Sequence, residues 1–204
     1  MSKKYQVIYV DPPWSYTTWS DRWQEQNSRS RWVGKHYDLL ADEAIYRLPV
    51  AEIADRDCVL FLWATFPKLP SALMAMLRWG FTYKTVGFVW VKRTKRNRLH
   101  WGMGKWTRSN AELCLIATRG TPKRMSAAVH SVIEAQAAKH SQKPIDAYER
   151  IEALLGDQQR IELFARERRV GWDAWGNEAA GSDALGWVWT GTEWCADEMR
   201  RSDG

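Results

Sequence analysis

The order of apolar runs along this chain predicts an α/β protein built on an open, mostly parallel sheet covered by helices on both faces, in three layers. Three observations predict it. Val7, Ile8, Tyr9 and Val10 form a short β-favouring run that stops at Asp11-Pro12-Pro13-Trp14. Residues 58–63, Cys-Val-Leu-Phe-Leu-Trp, are continuously apolar, as in a strand buried on both sides. From there to residue 164, strand-like and helix-like segments alternate.

The elements follow in order. The opening run is a buried strand, and the two prolines end it because they lack an N–H and fix φ. Residues 42–54 have a helical pattern broken at Pro49. After the 58–63 strand, residues 70–79 form an amphipathic helix with Gly80 as its C-cap. Residues 85–91, 112–117 and 132–135 read as strands, 145–155 as a helix stopped by Gly156, and 160–164 as another strand. Residues 1–180 are expected to form one domain, and the Trp-rich tail, 181–204, shows no periodicity.

Composition narrows the class. A chain of 204 residues with 26% charged and 45% hydrophobic residues is globular. No apolar run reaches the length of a membrane span, and Met1-Ser2-Lys3-Lys4 lacks the apolar segment of a signal peptide, so a cytoplasmic protein is expected. Cys58, Cys114 and Cys195 are odd in number and far apart, as reduced thiols are. His36, His100, His130 and His140 lack ligand spacing, so no metal is expected. A net charge of +6 favours a polyanionic partner. The 14 tryptophans are too many for all to be buried with their indole N–H groups satisfied.

The corner after the first strand carries the chemistry. Asp11 puts a carboxylate at the carboxyl end of a strand, where open α/β sheets bind ligands. The Pro12 and Pro13 carbonyls face few competing donors, and Trp14 offers an aromatic face. Such a corner suits a flat ring gripped by its amino group; a proline turn with a solvated Asp is the bland alternative. Two long connections, 15–37 and 92–110, interleave aromatic and basic residues, among them Tyr16, His36, Lys105, Trp106 and Arg108. Unstacked bases need π-faces and phosphates need cations, so nucleic acid is the expected partner; loops packed back on the core are the alternative.

Asp11-Pro12-Pro13-Trp14, His36-Tyr37-Asp38-Leu39-Leu40-Ala41-Asp42-Glu43, the block 102–112, His140-Ser141-Gln142-Lys143-Pro144, Glu162-Leu163-Phe164-Ala165-Arg166 and the block 171–178 stand in a fixed order. Together they resemble the N6-adenine methyltransferases named for the catalytic subunit of the eukaryotic mRNA methylation complex, in their short bacterial and phage branch. The resemblance covers about residues 5–178. It implies a three-layer Rossmann-like methyltransferase fold, with the catalytic motif first and the cofactor blocks late, and S-adenosyl-L-methionine as cofactor. On that pattern Asp11 and the Pro12 carbonyl, with Pro13, hold the adenine amino group, and Trp14 or Tyr16 stacks on the ring. Asp11, Lys143, Arg166, Asn177 and Glu178 are the implied cofactor residues; Tyr16, His36, Tyr37, Lys105, Trp106 and Arg108 face the substrate. Without the resemblance, Lys143 reads as the exposed start of a helix and Arg166 as a surface ion pair.

Some features depart from relatives. Gln136, Ala137 and Ala138 stand where Pro and Arg are common, which implies a lost cationic contact. The chain begins almost at the catalytic strand, which implies modest cofactor affinity or a partner that completes the pocket; a homodimer and a partner subunit both stay open. The absence of Gly-x-Gly-x-x-Gly argues against a nicotinamide enzyme. DNA is favoured over RNA by the branch alone. Cytosine and glutamine-amide methylation, and a catalytically silent nucleic-acid-binding subunit, are the alternatives.

Overall fold

The computed structural model describes residues 3–15, 40–104, 106–137, 142–177, 179, 185–190 and 192–196. The strands are β1 (Tyr5–Val10), β2 (Ala54–Ala64), β3 (Thr82–Arg93), β4 (Ala111–Arg119), β5 (Val132–Gln136), β6 (Arg160–Leu163), β7 (Asp173–Trp175), β8 (Trp187–Trp189) and β9 (Trp194–Ala196). The helices are α1 (Asp42–Tyr46), α2 (Val50–Ile53), α3 (Leu69–Arg78) and α4 (Ile145–Leu155).

Seven strands form one sheet in the order β5-β3-β4-β2-β1-β6-β7. Every pairing is parallel except those of β4, which runs against β2 and β3. The reason is local. No helix separates β3 from β4, and without a crossover the chain must return antiparallel. The sheet is thus mostly parallel, as the alternation of segments predicts.

Both faces are covered. Ile8, Val10, Leu60 and Leu62 point to a core completed by Ile45, Val50, Ile53, Ala72, Met76 and Trp79 from α1 to α3 and the residue after α3. Val7, Tyr9, Phe61 and Trp63 alternate to the other face, against Ala147, Tyr148, Ile151 and Leu155 of α4. These are the three layers of a Rossmann-like methyltransferase fold. Among the described residues no helix is long and apolar enough to cross a membrane.

Two features escape the sequence pattern. β2 starts at Ala54, four residues before its apolar run: Ala54 pairs with Tyr5, and Asp55, Arg56 and Asp57 fall in a shift of register before the ladder with β1 resumes at Val59. The tail forms the β8–β9 hairpin, whose Trp187 and Trp194 rings lie 5.6 and 5.5 Å from Trp175. Trp194 Nε1 donates to the Ala44 carbonyl at 2.8 Å and Arg47 Nη1 to the Thr192 carbonyl at 3.0 Å. The hairpin therefore ties the end of β7 to α1.

The topology also fixes where a ligand belongs. β1 leads to β2 on one side, while its other neighbour β6 leads away to β7. Chain direction diverges between β1 and β6, and open α/β sheets bind ligands beyond the carboxyl ends at such a point. Val10 pairs with Leu163, so Asp11 and Phe164 leave the sheet side by side there.

Candidate active site and nucleic-acid face

At the β1 exit the backbone folds tightly. Trp14 N–H donates to the Pro12 carbonyl at 2.8 Å, and Leu40 N–H donates to the Pro13 carbonyl at 3.2 Å. This corrects the expectation of carbonyls with few competing donors: each already accepts one N–H, and what remains for a ligand is the second lone pair of each oxygen. Trp14 corrects another. Its ring is 4% exposed, in the core, and its indole N–H donates to the Trp63 carbonyl at 3.0 Å. A ring enclosed in this way anchors the corner to the end of β2 and presents no face for stacking.

Asp11 is held from the opposite side of the sheet by Lys143. Asp11 Oδ2 accepts from Lys143 Nζ at 2.7 Å, and the same ammonium lies 3.2 Å from Glu112 Oε2. Glu112 Oε1 in turn accepts from Lys92 Nζ. Acid and base alternate from the corner outward through Asp11, Lys143, Glu112 and Lys92. The side chain of Lys143 is only 6% exposed, so the reading of an exposed helix start fails. Burial works against its ammonium, but Asp11 and Glu112 outweigh burial and hold Lys143 above its usual pKa. Burial likewise penalises the Glu112 carboxylate, and Lys143 and Lys92 overcome it, so Glu112 sits below the usual carboxylate range. Asp11 Oδ1 and the third N–H of Lys143 have no partner among the described residues.

Strand geometry brings the remaining cofactor candidates to this edge. Phe164 has φ +62°, a left-handed conformation that is strained for an aromatic residue. That turn lets Ala165 N–H donate to the Trp175 carbonyl at 2.9 Å. A Cβ on Gly176 would lie 2.3 Å from the Ala165 carbonyl oxygen, so no other residue permits this approach. Half-buried Arg166 and exposed Asn177 therefore emerge just past the ends of β6 and β7, on the side of the sheet beyond β1. Beside them, Glu162 accepts from Tyr148 Oη at 2.8 Å, and burial pushes its carboxyl up to about 7, against the pull of the Tyr148 hydrogen bond. The Arg169 guanidinium lies 4.0 Å over the Tyr148 ring, with its Nε buried and lacking an acceptor.

The β3–β4 connection rises from the same edge. Its first half is a small hairpin, closed by the Arg93–Leu99 bridge and Thr94 N–H to the Arg98 carbonyl, that exposes Lys95, Arg96 and Arg98. In its second half a Cβ on Gly102 would sit 1.7 Å from the Ser109 carbonyl oxygen, so glycine alone lets the two sides meet. Trp101 is 74% exposed under the Arg108 guanidinium, 4.5 Å from its ring, and Trp106 and Met103 are 97% and 87% exposed. The interleaved aromatic and basic residues of this loop thus stand in solvent, not on the core.

Of the sequence candidates, the structure brings Asp11, Pro12, Pro13, Lys143, Arg166 and Asn177 to one edge, with Trp106 and Arg108 on the loop above it. Tyr16, His36, Tyr37, Lys105 and Glu178 lie outside the described residues. In the sequence Glu112 stands out only as the end of the block 102–112 and Lys92 only as the start of a basic loop, and Arg169 not at all. The available signal for Glu112 was a charged residue at the start of a strand otherwise apolar enough to be buried.

A carboxylate locked by a buried ammonium at the divergence point of a mostly parallel sheet marks a ligand site of a Rossmann-like α/β protein. Comparison with known sequences gives the family. The MT-A70 family model matches residues 5–178, and the chain belongs to that family. It is 34% identical over 190 residues to the type II methyltransferase M.MunI of a Mycoplasma species, covering 86% of this chain and 78% of that protein. It is 25% identical over 190 residues to the mouse N(6)-adenine-specific methyltransferase METTL4, covering 86% of this chain and 38% of METTL4. A plant relative, the N6-adenosine-methyltransferase non-catalytic subunit MTB of Arabidopsis thaliana, is 31% identical over 126 residues, 59% of this chain and 15% of its own length.

Proposed function

We propose that this protein methylates the exocyclic amino group of adenine in DNA, with S-adenosyl-L-methionine as donor, in the cytoplasm. One observation carries the reading. Asp11 stands at the divergence point with Oδ2 fixed by the buried Lys143 and Oδ1 open to a donor. The resemblance to the short bacterial and phage branch favours DNA, and the likeness to the N(6)-adenine-specific METTL4 favours the N6 position.

The residues fit the cofactor. Its carboxylate and ribose hydroxyls need donors and acceptors, and the edge offers the third Lys143 N–H, the orphaned Arg169 Nε and the exposed Asn177 amide. Arg166 extends the same face. Glu178 is assigned to the pocket, and Tyr16, His36 and Tyr37 to the substrate side, by the family resemblance alone. When bound, the cofactor supplies an electrophilic methyl group on a sulfonium.

The protein does the rest by holding the base. Adenine's amino lone pair is delocalised into the ring, which makes the nitrogen a poor nucleophile. Asp11 Oδ1 accepts one N–H, and the second lone pair of the Pro12 carbonyl accepts the other. Two acceptors off the ring plane favour pyramidal nitrogen and localise its lone pair. Lys143 keeps the carboxylate from rotating, so that its orientation is fixed before the base arrives. Asp11 then stabilises the positive charge that develops on nitrogen and accepts the proton that leaves it. With Trp14 enclosed, stacking on the purine falls to Tyr16.

MTB, a non-catalytic subunit by name, is similar to 59% of this chain. The intact Asp11–Lys143–Glu112 arrangement favours an active enzyme, and it leaves room for a homodimer or a partner subunit. The test is mass spectrometry of nucleosides from DNA and RNA incubated with protein and methyl-labelled cofactor. The expected product is labelled N6-methyladenine in DNA, reduced at least about a hundredfold in Asp11→Asn, the scale of losing one preorganised electrostatic group. Label on cytosine, on protein or on RNA alone would overturn the reading.

A further inference from the structure

The β3–β4 loop carries two tryptophans in different states, and the difference points to different jobs. Trp101 has one face covered by the Arg108 guanidinium. A ring backed in this way offers a single face, which suits a base laid against the protein. Trp106, at 97% exposure, has both faces and its edge in solvent, and Met103, three residues earlier in the chain, is 87% exposed. Burying so large a ring fully requires an apolar layer on each face at once. Two neighbouring bases in a stack, parted by the thickness of one ring, provide that.

The setting decides which partner supplies those layers. Between residues 92 and 110 there are seven Lys and Arg and no Asp or Glu. Lys92 and Arg93 are tied to Glu112 and Glu134, while Lys95, Arg96 and Arg98 stay exposed. Facing the same loop on a second copy would set cation against cation. A polyanion with a stacked apolar interior meets both demands. The loop is also built to hold its tip out: the Gly102–Ser109 approach and the hydrogen bond from Lys92 N–H to the Asn110 carbonyl close its base on the edge from which Asp11 leaves the sheet.

We infer that Trp106 is a wedge that enters duplex DNA and takes the stacking place of the adenine extruded toward Asp11. This rests on the adenine-methylating function proposed above. An amino group inside a duplex is already paired and cannot reach Asp11, so extrusion must precede transfer, and a side chain that fills the gap slows the base's return. Apolar side chains inserted between base steps are a general device for opening a duplex. The substrate is therefore double-stranded DNA.

The test compares wild type, Trp106→Ala and Trp106→Phe on plasmid DNA, native and heat-denatured, with methyl-labelled cofactor. The side chain is solvent-exposed, so the fold is expected to survive, and circular dichroism checks it. The native-DNA rate should fall about ten- to hundredfold in Trp106→Ala, the worth of one aromatic stack. The ratio of native to denatured rates should fall at least tenfold, and Trp106→Phe should restore most of it. Equal losses on both forms, or none on native DNA, would overturn the wedge. So would a wild type that methylates denatured but not native DNA, although the enzymatic function would stand; label on RNA alone would overturn both. Methylation of no nucleic acid would remove the function itself. Sedimentation adds one more outcome: a wild-type dimer that Trp106→Ala makes monomeric would assign the ring to a second copy and overturn the inference.

Discussion

Lys143→Met is the most incisive perturbation of the buried charge chain. It removes the cation that touches both Asp11 and Glu112, leaving Asp11 without this ion-pair partner and Glu112 with Lys92 alone. At 2.7 and 3.2 Å and an effective dielectric of about 20, the two attractions lost are each roughly 5–6 kcal/mol before desolvation is offset. Stripping a buried pair of one member typically costs about 3–5 kcal/mol net, and that is the expected loss near pH 8. The sign with pH follows from Glu112. Its carboxyl is held below the ordinary range in the native state, so its contribution is present above the ordinary carboxylate pKa and fades as pH falls through the native value. Without Lys143, only Lys92 opposes the burial of Glu112, so protonating that carboxylate costs less and the deficit should shrink toward pH 5. Urea unfolding of wild type, Lys143→Met, Glu112→Gln and the double variant measures this as a cycle. A coupling of about 1–3 kcal/mol is expected, with the double variant less damaged than the sum of the singles. A coupling below about 0.5 kcal/mol, or a deficit independent of pH, would refute the chain as a connected unit.

Three further outcomes follow from particular side chains. Burial raises Glu162 to about 7, above its unfolded value, so its ionisation destabilises the fold increasingly as pH rises from about 4.5 to 7; Glu162→Gln should be the more stable protein at pH 8, by roughly 2–3 kcal/mol, and nearly equal at pH 4.5, by urea unfolding at both. Trp14→Ala should lose about 3–5 kcal/mol of stability, as a buried aromatic does, whereas a stacking platform would instead raise KM and leave the unfolding midpoint in place. Binding to duplex DNA should weaken with salt at a log–log slope of about −3 to −4, for four phosphate contacts by Lys95, Arg96, Arg98 and Arg108; the triple variant Lys95→Ala, Arg96→Ala, Arg98→Ala should flatten it by about 3, read by fluorescence anisotropy.

What the sequence disclosed and what it hid divide along physical lines. β1, the apolar half of β2, α3 and α4 were legible because each repeats its apolar period over several residues, and the two helices end at glycines with positive φ. β7, β8 and β9 have three residues each, too few for a period, and they exist because the sheet and Trp175 offer them partners. The corner was found from Asp11 and its prolines, yet the direction of the Trp14 ring was not. Whether an aromatic residue turns inward depends on the space at the end of β2, which no local pattern encodes. The Asp11–Lys143–Glu112–Lys92 chain was equally hidden, since its members stand 20 to 132 positions apart and meet only through the strand order. Lys143 was singled out by family pattern alone, and burial gives it a physical role that its neighbours in sequence do not.

The central claim is that Asp11 Oδ1 grips the amino group of an adenine. A crystal structure with a non-reactive cofactor analogue and an adenine-containing oligonucleotide tests it most directly. The account predicts the purine's N6 within about 2.7–3.2 Å of Asp11 Oδ1, with Lys143 still on Oδ2. A purine bound elsewhere, or an Asp11 turned away from the cofactor's sulfur position, would contradict it.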